Sequence, residues 1–239
     1  MGSSAADLTT RVLRHERLLV AATGGALAAL GWAYLMRGMP MGMTRPPLTA
    51  LITMWWLMML AMMLPSATPA ILLYSRVRNA QGDDVEIAQT WVFLLGYLAA
   101  WLAFSVAAAL AQSLFTDSSM ALQARAAQSA LLSGAGVYQL SPWKYACLSE
   151  CRSPGHFISR HWKPGWWGAA RLGVMHGGYC VACCWTLMAL LFVGGVMNVG
   201  WIVALTLLVA AEKLLPAGHF VPKISGVALI LSGLANSFV

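Results

Sequence analysis

Residues 176 to 185 read HGGYCVACCW, with one histidine and three of the chain's five cysteines inside nine residues. A helix turns by about 100° per residue. On that wheel Cys180, Cys183 and Cys184 fall about 40°, 340° and 80° from His176, and Met188 follows at about 120°. Imidazole, thiolate and thioether along one stripe suit a soft or borderline ion: Cu(I), Zn(II) or an iron centre. Gly173, Gly177 and Gly178 share or flank the stripe, so a neighbouring helix has room to approach. Cys180-Val-Ala-Cys183 is also a C-x-x-C, which fits a dithiol–disulfide pair. Its mid-helix position denies it the dipole of a helix N-terminus. The plainer alternative is packing, with small apolar cysteines in a core and His176 hydrogen-bonded to a neighbour.

Two other groups carry soft donors. In CLSEC, Cys147 and Cys151 lie four residues apart, on one face if the segment is helical, and His156 follows. Two thiolates there can hold a metal, but a four-ligand zinc pattern is incomplete, and two free thiols explain the spacing equally well. Nine of the fourteen methionines lie between Met36 and Met63. Met36, Met39, Met41 and Met43 sit in a short polar turn with no core to fill, and thioethers bind Cu(I) without losing a proton. Met54, Met58 and Met62 form a stripe beside Met59 and Met63. Packing is the favoured account of these, because methionine fills irregular gaps and forms helices well.

The elements that must position these groups follow from composition. Of 239 residues, 59% are hydrophobic and only 10% charged, where a soluble domain carries about 25% charged residues. The class expected is all-α, a polytopic transmembrane helical bundle forming one integral membrane domain over residues 1–239. Seven spans are expected, at about 18–36, 48–74, 88–112, 119–140, 168–193, 196–212 and 223–238. Pro65 and Pro69 should kink or break the second. Polar residues Gln123, Arg125, Gln128 and Ser133 make the fourth the weakest. The net charge of +7 reads as topology and lipid contact, because no basic face with interleaved aromatics offers a nucleic-acid surface.

Arg11, Arg14 and Arg17 precede the first span, and no small-residue cleavage site follows it, so a retained anchor is expected. With residues 1–17 inside, twelve of the fifteen basic residues fall on the inner side, which predicts an N-in, C-out arrangement. The loop 141–167 would then face the cytoplasm, with Trp143, Trp162, Trp166 and Trp167 at the headgroup level. Arg125 is the one intramembrane charge of interest, with Asp117 as a neighbour, and snorkelling toward the interface accounts for it. Glu212 and Lys213 end the sixth span, where an interfacial position explains them. No P-loop, GxGxxG, G-x-S-x-G or HExxH is present.

Four stretches together, MMLAMMLPSATP (58–69), YACLSECRSP (145–154), HGGYCVACCWTLMALLFVGGVMN (176–198) and EKLLP (212–216), resemble an uncharacterised bacterial family described as predicted metal-binding integral membrane proteins. The resemblance runs from about residue 50 onward. It implies a metal site on His176, Cys180, Cys183 and Cys184, with Cys147 and Cys151, and leaves the reaction open.

The function expected first is soft-metal handling in a bacterial inner membrane, with copper foremost and zinc or iron/haem as alternatives. Met39, Met41 and Met43 would collect the ion outside. Met58 and Met62 would join the His/Cys stripe near the bilayer midplane, and Cys147 and Cys151 would receive the ion inside. The partners expected are the lipid bilayer, the metal ion and a partner subunit or metallochaperone, with no nucleic acid. Two other classes stay open: a membrane-embedded metal-dependent redox enzyme or a subunit of one, and a structural or assembly subunit whose cysteines only pack.

Overall fold

The computed structural model describes residues 22–33, 46–79, 86–115, 122–216 and 220–238, which are helical apart from short connections. Helix α1 covers 22–33. It is followed by α2 (Leu48–Asn79), α3 (Glu86–Phe115), α4 (Arg125–Gln139), α5 (Pro142–Arg152), α6 (Pro154–His161), α7 (Gly165–Ala189), α8 (Leu191–Gly194), α9 (Val199–Leu214) and α10 (Val221–Phe238). No strand occurs among the described residues.

Among the described residues, four stretches are long and apolar enough to cross a membrane: Leu48–Arg78, Ala88–Leu114, Gly165–Gly194 and Val221–Phe238. This corrects the expected seven. Helices α4 and α9 have 15 and 16 residues, a rise of about 22–24 Å against a hydrocarbon core of about 30 Å. The polar interruptions explain the shortness of α4, and its Arg125 lies exposed at the first turn. The expected first span is described only over 22–33.

Helix α2 runs unbroken through Pro65 and Pro69. The Ser66 and Thr68 hydroxyls donate to the carbonyls of Met63 and Leu64, each at 2.9 Å. Such local hydroxyl bonds help a proline-bearing helix keep its backbone satisfied. Its Met54, Met58, Met59, Met62 and Met63 are all buried and share one apolar cluster with Trp55, Phe93, Tyr97 and Trp101.

Helix α3 packs against both α2 and α7. The α3–α7 crossing is close because glycines line it. A Cβ at Gly96 would lie 2.6 Å from the Ala170 carbonyl, one at Gly177 would lie 2.6 Å from the Ala100 Cβ, and one at Gly173 would strike the Phe93 carbonyl. Gly178 faces open space. Helices α4 and α10 pair in the same manner through Gly136, Gly226 and Gly233.

The stretch 141–167 is no open loop. Ser141 caps α5 by accepting from the Lys144 backbone N–H, with Pro142 in the first turn, the expected chemistry of a helix start. Helix α5 then lies along α7 and touches α9. Trp143, Trp166 and Trp167 are exposed, while Trp162 packs on Tyr74, with the Arg78 guanidinium over its ring.

Candidate metal centre

The stripe on α7 faces inward. His176, Cys180, Cys183, Cys184 and Met188 are each at most 3% exposed, while Val174 and Trp185 point away at 48% and 44%. The Cys183 and Cys184 thiols donate to the Cys180 carbonyl, at 3.1 and 2.9 Å. The His176 ring lies among those of Phe93, Tyr97 and Phe157, with centroids 6.0, 5.9 and 5.3 Å away. Its Nδ1 is buried with no hydrogen-bond partner. A polar atom left dry in an apolar core is costly unless something satisfies it.

Three other helices bring groups to this stripe. From α3, the Tyr97 hydroxyl stands 3.3 Å from the Cys180 Sγ and 3.5 Å from the Met63 carbonyl of α2. From α5, the Cys151 Sγ lies 3.9 Å from the Cys183 Sγ. Cys147 sits one turn earlier, half-buried, and all five cysteines are free thiols. From α9, the Lys213 ammonium donates to the Cys180 Sγ at 3.0 Å.

The next residue back, Glu212, serves a separate purpose. It pairs with Lys144 of α5 at 2.6 Å, and the Gln139 amide donates to its other oxygen at 2.7 Å. Arg152, beside Cys151, donates to the carbonyls of Leu215 and Pro216 just past α9, both at 2.9 Å. So α5 is fixed to α9 at both of its ends, and Cys151 is held against α7.

Among the described residues, no three His, Cys, Asp or Glu side chains close on one point as a finished metal cage. The arrangement is a cluster of sulfurs in which Cys151 of α5 stands 3.9 Å from Cys183 of α7. Met58 and Met62 lie in the α2 core. Met39, Met41 and Met43, like Met36 and Asp117, lie outside the described residues.

A sequence model of the family described as PpoB2, copper chaperone, matches residues 52–236. The chain belongs to the PpoB2 family. No curated protein and no solved structure matches it. The PpoB2 match takes in every residue of the cluster, from Met63 to Lys213, and begins after Met39, Met41 and Met43. The copper-chaperone description makes copper the metal associated with PpoB2 proteins, and copper as cargo agrees with a sulfur-rich donor set.

Tyr97, Lys144 and Lys213 of this PpoB2 chain escape a reading built on ligand types, because none is a soft donor. One signal was present for Lys213. Glu212 and Lys213 close an apolar run, and charges in such runs face the bundle interior more often than lipid. Both are buried against protein: Glu212 is 1% exposed and Lys213 8%.

Proposed function

We propose that this chain is a membrane-embedded Cu(I)-handling protein whose ion is held first between Cys151 of α5 and Cys183 of α7. The observation that carries it is their 3.9 Å sulfur separation. With metal–sulfur bonds of about 2.3 Å, sulfurs so spaced subtend roughly 115° at a shared ion, between tetrahedral and trigonal. Cys180, Cys184 and the unpartnered His176 Nδ1 stand within a turn or two to complete the set. Thiolates on buried walls favour Cu(I), whose low charge and softness suit them.

Cys147, a turn before Cys151 and like it only partly buried, is the donor through which the ion passes between this cluster and a partner metallochaperone. Met39, Met41 and Met43 are the donors that collect copper outside, and Met58 and Met62, in the α2 core, hand it on toward the cysteines. The four long apolar stretches support placement in a bacterial inner membrane.

The test is copper stoichiometry. Anaerobically purified protein is expected to retain about one Cu(I) per chain, and Cys151→Ser or Cys183→Ser to lower its affinity by about a hundredfold. X-ray absorption should show sulfur neighbours. Copper retained equally by the double variant would refute the site.

A further inference from the structure

Lys213 is a buried cation at the edge of a thiol cluster. Its ammonium lies 3.0 Å from the Cys180 Sγ. The carboxylate next to it in sequence, Glu212, is engaged by Lys144 and Gln139. Arg152, next to Cys151 in sequence, is turned to the Leu215 and Pro216 carbonyls. Lys213 therefore faces sulfur, and a sealed ammonium needs a compensating negative charge.

We propose that Lys213 is the specificity-determining countercharge of the site, fitting it to a monovalent soft cation over a divalent one. This rests on the thiol site proposed above. With Cys151 and Cys183 as the two thiolate donors, and any further donor neutral as an imidazole or a protonated thiol is, a monovalent ion leaves one net negative charge, and Lys213 cancels it. A divalent ion between the same thiolates is already neutral, so Lys213 becomes an unpaired positive charge in an apolar interior. The ion's own charge dominates the local electrostatics of such a site. Lys213 touches Cys180 and need not touch the ion.

The experiment uses full-length chain in detergent under anaerobic conditions. Cu(I) affinity is read by competition with bicinchoninate, and Zn(II) affinity with a chromophoric zinc chelator. Lys213→Met is expected to weaken Cu(I) by about tenfold or more while Zn(II) binding holds or tightens, and Lys213→Arg to keep most of the Cu(I) affinity. Equal loss of both ions, or no loss of Cu(I), would overturn the proposal. Wild type supplies an arm that needs no variant: Ag(I) should fill the site, and Cd(II) should fail to displace it. Displacement by equimolar Cd(II) would also overturn it. A wild type that binds no Cu(I) removes the thiol site itself, and this inference with it.

Discussion

Lys144 and Glu212 meet at 2.6 Å with side chains 0% and 1% exposed, joining the short helix α5 to the end of α9. Such a pair contributes little net stability when intact, but losing one partner strands a buried charge, at a cost of about 3–5 kcal/mol. Glu212→Gln and Lys144→Met should each lower the unfolding midpoint in detergent. The double variant Lys144→Met/Glu212→Met should recover much of the loss. Additive losses in thermal unfolding would show that the two do not act as a pair.

Tyr97 touches Cys180 through its hydroxyl alone. Tyr97→Phe keeps the ring that packs on His176 and removes the hydroxyl's two buried polar contacts, to the Cys180 Sγ and the Met63 carbonyl, each worth about 1 kcal/mol. Cu(I) affinity should fall several-fold, with helical content and melting little changed. Competition titration and circular dichroism on one preparation separate these effects.

The α3–α7 crossing makes a steric prediction. Gly173→Leu would drive a side chain into the Phe93 backbone, and Gly177→Val into Ala100 and Tyr97. Both should cut the yield of folded, detergent-stable protein severely. Gly178→Ala, facing open space, should behave as wild type. Size-exclusion recovery after mild heating measures the contrast.

Thiol accessibility should follow burial. Cys147 and Cys151 are partly buried, while Cys180, Cys183 and Cys184 are sealed. N-ethylmaleimide should label the first two sooner, as read by peptide mass spectrometry. Bound Cu(I) should slow labelling of Cys151 by about tenfold or more, because the thiolate is the reactive form and the metal occupies it.

Much of this was readable from residues alone. The long apolar runs of α2, α3, α7 and α10 announce themselves by hydropathy. A helical wheel suffices to put His176, Cys180, Cys183 and Cys184 on one face, and Gly173 and Gly177 mark where a neighbour comes close. The approach of Cys151 to Cys183 was not legible, because it depends on α5 turning back along α7. That path is set by tertiary bonds from Lys144 and Arg152 to α9, which no local pattern encodes. The span count failed for a related reason. Apolar composition does not fix helix length, and α4 and α9 end at polar or turn-forming residues before spanning length is reached. The contact of Lys213 with Cys180 was not legible either, because a charge at the end of an apolar run looks the same whether it meets headgroups or thiols.

The stretches resembling a metal-binding family, scattered across more than 150 residues of chain, meet around Cys180. Met63 and Tyr97 stand on one side of it, Cys151 and Arg152 on another, and Lys213 closes the third. That geometry imposes an order on biosynthesis. A ribosome that has finished α7 has already made all five thiols, yet the residues that position Cys151 and face Cys180 are encoded about twenty codons later. The nascent protein thus carries its sulfurs without the Lys213 ammonium, and without the α9 partners of Lys144 and Arg152, until α9 emerges.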